Sequence, residues 1–311
     1  MPADLPALAT NLRGHRAHRG RETSRRLPFA ALMTSLLLAS AAQAQTALLQ
    51  PVDPQSDSER RPKWEAGVAA AALRAPNYPG SDEYRNFALP VPYFVYYGRV
   101  LRAEENEGSR LRRKMASNLE LTLSGGGTLS SDSSDSDARR GMPDLDYLIQ
   151  LGPALRLSYA GAQPHSKIIV RLPLRAAMSV GGGVHWRGVA TAPDIAYLRE
   201  GFLDNRLALR VSFGSEFASS ALHRHYYEVS PQYETLERPA YRADGGYLGS
   251  GIDLLARYRF SRQLRGFVSL GYSNHAGAAN EDSPLFRNDH GYSVATGFSW
   301  SFWQSTARAE E

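Results

Sequence analysis

The chain has 311 residues, no cysteine, and 36 basic against 31 acidic side chains. The absence of cysteine excludes disulfides, thiolate metal sites and lipid anchors carried on cysteine. Residues 1–44 hold six of the arginines and two of the acids, so the rest of the chain is nearly neutral and its charge does not indicate nucleic-acid binding.

Residues 1–44 have the organisation of a secretory signal peptide. Six arginines precede an apolar run at 27–41, and a small-residue cleavage site follows at 42–44. The run is too short for a stable helical membrane span, and no other stretch of the sequence is long and apolar enough to form one. We therefore expect export, with a flexible periplasmic linker over the polar, proline-broken residues 45–63.

From Trp64 onwards, large apolar side chains alternate with small or polar ones, the period of two that is typical of strands. The segment 291–302 shows this pattern most clearly. The alternation predicts about twelve strands, with ten as the alternative because the third and ninth are the least regular. The predicted strands are 64–74, 85–97, 98–105, 110–123, 146–159, 166–178, 185–199, 203–217, 224–233, 248–260, 264–274 and 290–302.

Strand length favours a membrane protein over a soluble one. Most predicted strands exceed the average of about 5–6 residues and reach the 9–11 or so that a tilted membrane-crossing strand needs. Aromatic residues cluster at the strand ends, where interfacial girdles lie. The sequence therefore predicts an all-β fold, an antiparallel transmembrane β-barrel of the bacterial outer membrane. We expect the barrel to span 64–302, with a short tail at 303–311.

The two faces of each predicted strand meet different surroundings. In a membrane barrel the apolar face contacts lipid, and the polar face lines the interior. The residues expected to line the lumen are Arg156, Arg171, Arg175, Arg206, Arg210, Asp253, Arg257, Arg259 and Arg265. Those expected to contact outer-membrane lipid are Tyr292, Val294, Phe298, Trp300 and Phe302. The last strand should also close the barrel against the first near Trp64 and present its terminal aromatic to the barrel-assembly machinery.

An even number of strands places both chain termini at one end of the barrel, by convention the periplasmic end. On this count the long connection 124–144, rich in serine and aspartate, lies on the inner side, where short turns are the rule. Either the strand count is off by one at this point, or the connection is an inward-facing functional element that binds a partner. The residues expected to make that contact are Asp132, Asp135, Asp137, Arg139, Arg140, Met142 and Asp144.

No catalytic motif stands out, since the sequence has no G-x-S-x-G elbow, no H-E-x-x-H and no cysteine nucleophile. Ser273 and His275 lie two apart at a strand end, a pair too small to predict a hydrolase. His223, His225 and Glu228 match no standard metal-ligand spacing. The aspartates near 132–137 lack the glycine and final glutamate of a calcium loop. We expect no enzymatic activity, no cofactor and no metal.

Three segments together resemble the MipA/OmpV family of outer-membrane proteins. They are NYPGSDEYR with the following LPVPYFVYYG, GMPDLDYLIQLGPAL, and GYSVATGFSWSF. The resemblance implies an outer-membrane β-barrel. It also implies a scaffold that brings a murein lytic transglycosylase together with a bifunctional murein synthase, and other members of the family are surface antigens or adhesins.

Two classes of function remain open. The first is a non-enzymatic scaffold or anchor for murein-remodelling enzymes, favoured by the resemblance and by the missing catalytic motifs. The alternative is a narrow outer-membrane channel whose arginines select small anionic solutes, or a surface adhesin. Pairing of the lumen arginines with acidic residues would plug the interior and disfavour the channel.

Overall fold

In the computed structural model, residues 64–96 and 113–305 are described, and they form one antiparallel β-barrel. The strands are β1 (Trp64–Pro76), β2 (Tyr84–Tyr96), β3 (Arg113–Lys114), β4 (Leu119–Thr128), β5 (Tyr147–Ala160), β6 (Ser166–Pro173), β7 (Arg175–Val180), β8 (Val184–Thr191), β9 (Asp194–Gly201), β10 (Leu207–Ala218), β11 (Gly246–Arg259), β12 (Leu264–Asn274) and β13 (His290–Gln304). The helical segments are α1 (Phe202–Asn205), α2 (Ser220–Tyr227) and the 3₁₀ turns Ser133–Asp135 and Pro231–Tyr233. No helix among the described residues combines the length and apolar character that a membrane crossing requires.

The strands follow one another around a single sheet, in the order β2-β1-β13-β12-β11-β10-β8-β7-β5-β4-β3. Strand β6 pairs with β5 and β9, and β9 also pairs with β10. The last strand pairs with the first, as predicted, from Glu65 opposite Gln304 to Arg74 opposite Val294. Strands β2 and β3 end this order on either side of 97–112, so the predicted third strand lies outside the described residues.

Two of the barrel crossings are interrupted near prolines. Strands β6 and β7 together correspond to the predicted strand 166–178 and are separated by one residue after Pro173. Strands β8 and β9 correspond to 185–199 and are separated at Pro193 and the alanine before it. Proline has no N–H for the ladder, so it weakens the pairing where a strand lies between two neighbours. Counting each pair as one, the described residues contain ten long crossings and the short β3.

The predicted strand 110–123 is wrong, because its described part, 113–123, contains the turn of the hairpin β3–β4. The N–H groups of Met115 and Ala116 donate to the carbonyl of Leu119 at 2.9 and 3.1 Å. Asn118, a residue type that favours turns, lies between the two strands. Alternation alone does not reveal this turn, because the pattern resumes on its far side.

The predicted strand 224–233 is also wrong, because it is occupied by α2 and a 3₁₀ turn. The buried residues of α2 are Leu222, His223, Tyr226 and Tyr227. Their spacing of one, three and one is that of a helix face rather than a strand face. The two tyrosines fall inside the predicted strand, whereas the structure places them in the core as part of α2.

These two errors leave the number of strands almost unchanged but reverse the direction of every strand between them. The connection 129–146, between β4 and β5, therefore lies at the end of the barrel opposite to Trp64 and Gln304. The expectation that it faces inward with the termini is wrong. The residues misplaced by that expectation are Asp132, Asp135, Asp137, Arg139, Arg140, Met142 and Asp144.

The two ends of the barrel differ in their connections. Within 64–96 and 113–305, the connections at the end with Trp64 and Gln304, called the terminus end, are short turns at 115–118, 161–165, 202–206 and 260–263. Short turns face the periplasm and long loops the exterior in outer-membrane barrels. The terminus end is therefore periplasmic. The long loops of the opposite end, called the cap, are 77–83, 129–146, 219–245 and 275–289.

Hydrogen bonds join the loops of the cap to one another. The hydroxyl of Tyr78 donates to the carbonyl of Leu285 at 2.7 Å, and that of Tyr227 to the carbonyl of Pro79 at 2.8 Å. Ser283 donates to the carbonyl of Tyr227 at 2.8 Å. Three loops far apart in sequence thus share buried polar contacts, which hold them together because an unpaired buried group is costly.

Helix α2 packs on the lumen side of the strands near the cap. Leu222 and Tyr227 are fully buried in one cluster with strand residues Leu148, Ala177 and Leu248. Arg139, also buried, crosses from the 129–146 loop and donates to the carbonyl of Tyr226 at 3.0 Å. The helix therefore occupies the lumen at the cap end of the barrel.

His225 of α2 has an ionisable imidazole with a buried nitrogen. Its Nε2 is buried without a hydrogen-bond partner among the described residues. Burial, together with the nearby charges of Arg187 and Arg139, lowers the pKa of His225 to about 3. The folded cap therefore holds this imidazole in its neutral form.

We expect acid to destabilise the cap through His225. The unfolded pKa of about 6.5 lies above the folded value, so the opened state takes up the proton. Cap stability is then lost as the pH falls from about 6.5 towards 3, by at most about 1.4 kcal/mol per unit. Hydrogen exchange of the α2 amides measures this, and His225→Gln should flatten the dependence. The exposed His290→Gln serves as the control, and equal slopes in both variants would contradict the assignment.

Outward-facing residues of β13 are exposed, including Tyr292, Val294, Phe298, Trp300 and Phe302, at 46–59 %. The outer face of a membrane barrel meets hydrocarbon, so we expect these positions to contact lipid. We expect Phe298→Arg, in the middle of the strand, to lower the free energy of unfolding by about 2–4 kcal/mol. Phe302→Arg, near the end of the strand, should lower it by about 0–1 kcal/mol. Urea titration of refolding into vesicles, followed by heat-dependent migration in SDS gels, measures the difference. Equal losses would count against a lipid-facing β13.

Candidate functional site

Two ion pairs occupy the lumen near the terminus end. Arg265 Nη1 lies 3.4 Å from Glu65 Oε1, and Arg156 Nη1 lies 3.0 Å from Glu120 Oε2. Both glutamates are almost fully buried. A buried charge is tolerated only with a partner of opposite sign. The arginines predicted to line the lumen are therefore neutralised here.

Asp194 holds two further arginines in the middle of the lumen. Arg171 Nε and Nη2 donate to its two carboxylate oxygens at 2.7 and 2.8 Å, a bidentate pair. Arg210 Nη2 approaches one of the same oxygens at 3.5 Å. Asp194 begins β9 directly after the proline interruption. One carboxylate thus ties together β6, β9 and β10.

A polar cavity of about 250 Å³ lies in the lumen between this cluster and the cap. Its wall extends from Asp194 to Leu248, and Leu248 itself packs in the cluster that contains α2. Charged groups of both signs and several serine hydroxyls face it. The side chains of the wall that carry chemistry include Arg171, Arg175, Glu216, Asp253, Ser273 and His275.

Ser273 and His275 are hydrogen-bonded to each other at the wall of this cavity. His275 Nε2 lies 3.1 Å from Ser273 Oγ, and His275 Nδ1 lies 2.8 Å from the carbonyl oxygen of Leu248. A carbonyl only accepts, so Nδ1 carries the proton and Nε2 accepts from the serine hydroxyl. Burial lowers the pKa of His275, which favours this neutral form.

Two glycines leave room for this pair. A side chain at Gly249 would collide with the His275 ring, and one at Gly291 would collide with Ser273 Oγ and approach Pro76. Larger residues at these positions would displace the pair from the cavity wall. The position of the Ser273–His275 pair therefore depends on small residues in β11 and β13.

The other residues predicted to line the lumen have varied surroundings. Arg175 Nε donates to Ser124 Oγ at 3.0 Å, Arg257 is 3 % exposed, and Arg259 Nη2 donates to the carbonyl of Asn205 at 3.2 Å. Arg206 does not line the lumen. It lies exposed in the turn 202–206, because the chain adopts left-handed backbone conformations there and β10 begins only after it.

The seven residues predicted to bind a partner divide into buried and exposed groups. Arg139 and Met142 are buried, and Met142 packs against Val229 and Leu285. Asp144 accepts from the Ser133 N–H at 2.6 Å. The exposed members are Asp132, Asp135, Asp137, Arg140 and Asp144, of which Asp137 and Arg140 form an ion pair. Among the described residues, no group of three histidine or acidic side chains is close enough to hold a metal.

Sequence reasoning missed Glu65 and Asp194 and set the Ser273–His275 pair aside. A signal for Asp194 exists, because it alternates with outward-facing Ile195 and would be placed inward by register alone. No comparable signal exists for the contact of His275 with Leu248, which joins a loop to β11.

Solved structures with similar architecture are outer-membrane proteins. An outer membrane channel from Pseudomonas putida F1 has a TM-score of 0.38 and 13 % identity, covering 80 % of this chain and 99 % of that one. The NanC porin has a TM-score of 0.34 and 8 % identity, covering 76 % and 98 %. A FadL homologue of Pseudomonas aeruginosa has a TM-score of 0.29 and 9 % identity, covering 86 % and 96 %. These values are low, and we draw nothing about function from them.

A search of curated proteins found no match to this chain. The model of one protein family, described as MltA-interacting protein MipA, matches residues 68–302, which includes nearly all of the described barrel. The family agrees with the long antiparallel strands, the apolar outer face and the short periplasmic turns. The chain therefore belongs to the MipA family and is a β-barrel protein of the bacterial outer membrane.

Proposed function

We propose that this barrel is a scaffold that anchors murein-remodelling enzymes at the inner face of the outer membrane. The partners are a murein lytic transglycosylase and a bifunctional murein synthase, which the scaffold brings together. The family description, MltA-interacting protein, supports the first partner. In this role the barrel wall supplies the anchor, and the periplasmic surface supplies the contact.

The observation that carries the proposal is the occupied lumen. Helix α2 fills the cap end, and the ion pairs of Asp194, Glu120 and Glu65 cross the interior below it. Solute transport needs a continuous wet path, whereas anchoring needs only a stable wall. An interior filled with paired charges and packed side chains favours anchoring.

The terminus end is the surface that a periplasmic partner meets. Its turns expose Arg206 and Arg262, while Arg259 lies beside them with its guanidinium bonded to the Asn205 carbonyl. Exposed arginines in short, firmly held turns offer a contact for acidic side chains of a partner. This replaces the 124–144 connection as the contact region, since that connection belongs to the cap.

We expect the double substitution Arg206→Glu and Arg262→Glu to lower retention of the lytic transglycosylase in affinity purifications from solubilised envelopes. A tenfold loss, equivalent to about 1.4 kcal/mol, is the expected scale. The matched control is Arg140→Glu with Arg287→Glu, which reverses two charges in the cap and should leave retention unchanged.

Mass-spectrometric identification of the retained proteins decides the outcome. If the cap variant loses the enzyme and the terminus-end variant keeps it, the contact lies at the cap. If the unsubstituted protein retains no murein enzyme, the scaffold proposal fails for this chain.

The second candidate is a narrow channel, which the polar cavity of about 250 Å³ favours. Most arginines of the lumen lie near acidic side chains, so the structure favours anion selection less than the sequence did. We expect the purified protein to be silent in planar bilayers. A stable conductance would favour the channel, and anion selectivity would support the arginine-lined lumen. Adhesion through the cap is a further alternative.

A further inference from the structure

We propose that Ser273 and His275 form a nucleophilic centre, which accepts the acyl group of small esters that enter the internal cavity. This inference goes beyond the scaffold role and does not depend on it. It rests on a contact that the sequence alone left unresolved, between the end of β12, the loop after it and a backbone carbonyl of β11.

The geometry meets the requirements of an activated serine. The nucleophile and base are 3.1 Å apart, and the base is oriented at its other nitrogen by the Leu248 carbonyl at 2.8 Å. That carbonyl selects the tautomer in which Nε2 has a free lone pair towards Ser273 Oγ. The backbone N–H of His275 is itself held by the Asp289 carbonyl at 2.7 Å, so the loop that carries the base is anchored.

A second acceptor near the serine hydroxyl is a backbone carbonyl of β13. The carbonyl of Gly291 lies 3.4 Å from Ser273 Oγ, against 3.1 Å for His275 Nε2. The shorter distance favours the bond to the histidine. The lowered pKa of His275 supports the same arrangement, since an imidazole that stays neutral near pH 7 is able to accept the proton.

The cavity defines the class of substrate. A volume of about 250 Å³ is slightly below that of sites for drug-sized ligands, so it suits a short acyl chain rather than a lipid tail. The wall is mainly polar, with the guanidinium groups of Arg171 and Arg175 and the carboxylates of Glu216 and Asp253. A short-chain ester of a small polar alcohol matches this wall. A developing oxyanion would be attracted to these two guanidinium groups.

The proposed step balances without an added reactant other than water. Ser273 Oγ attacks the ester carbonyl carbon and forms a new C–O bond, while His275 Nε2 takes the hydroxyl proton. The bond from that carbon to the alcohol oxygen breaks, and His275 returns the proton to the leaving alcohol. In the second half, His275 Nε2 takes a proton from water while the water oxygen attacks the acyl carbon. The bond from that carbon to Ser273 Oγ then breaks, His275 returns the proton to Oγ, and the carboxylic acid leaves.

The absence of cysteine from the chain permits a direct test of the base. Ser273→Cys creates one thiol beside His275, and Ser212→Cys creates one in the same cavity wall as the matched control. We expect the pH midpoint of alkylation by iodoacetamide to be at least about one unit lower for the thiol at 273 than for the thiol at 212. The neighbouring imidazole takes up the thiol proton, and the resulting imidazolium stabilises the thiolate. His275→Gln should remove this shift, and His290→Gln should leave it. Identical midpoints for the two thiols would overturn the proposal.

The unsubstituted protein supplies the second test. Diisopropyl fluorophosphate, a small serine-directed probe, should label folded barrels in detergent, and mass spectrometry should place the adduct on Ser273. Labelling should be lost in Ser273→Ala and slowed about 100-fold or more in His275→Gln. Absence of the adduct, or equal labelling in His275→Gln, would contradict a nucleophilic centre.

The pH dependence of labelling needs no substitution at all. If neutral His275 is the base, the labelling rate should rise with pH, level off before about pH 7 and stay constant above it. A rate that continues to rise tenfold per unit through pH 9 would overturn the assignment of the base. Retention of murein enzymes by Ser273→Ala is measured in parallel, and we expect it to be unchanged, so failure of this centre and failure of the scaffold are distinguishable.

Discussion

The structure depends on one constraint, the need to pair every backbone N–H and C=O group inside the bilayer. Lipid offers no hydrogen-bonding partner, so strands can cross only as a continuous antiparallel ladder. β13 meets this need because it pairs with β12 on one side and with β1 on the other. The alternation of side chains follows directly, since each ladder residue faces either lipid or lumen.

The lumen then has to accommodate charged side chains that the wall directs inward. Asp194 bonds Arg171 and lies near Arg210, while Glu120 bonds Arg156 and Glu65 bonds Arg265. These pairs connect strands distant in the sequence and leave one polar cavity under the cap. The cavity is therefore the space left between the paired charges and α2. Both the scaffold role and the proposed nucleophilic centre rest on this division of the interior.

Much of the fold was accessible from local pattern, and the mistakes have a common cause. The period of two placed most strands and the pairing of the last strand with the first. It failed at 115–118, where the pattern resumes after a turn, and at α2, where the pair Tyr226 and Tyr227 was taken for strand aromatics. Each error reversed the strand direction, so the 129–146 loop was assigned to the wrong end. Alternation reports side-chain faces and carries no information on direction along the barrel axis.

The sequence by itself determined the family resemblance, the strand type and the separation of apolar from charged faces. These depend on residues close together in the chain, whose chemistry can be read without their neighbours in space. Only the tertiary structure decided which acid meets which arginine, that Arg206 leaves the lumen, and that His275 contacts both Ser273 and Leu248. Those contacts join residues from different strands, and the register of the whole sheet sets the distances between them.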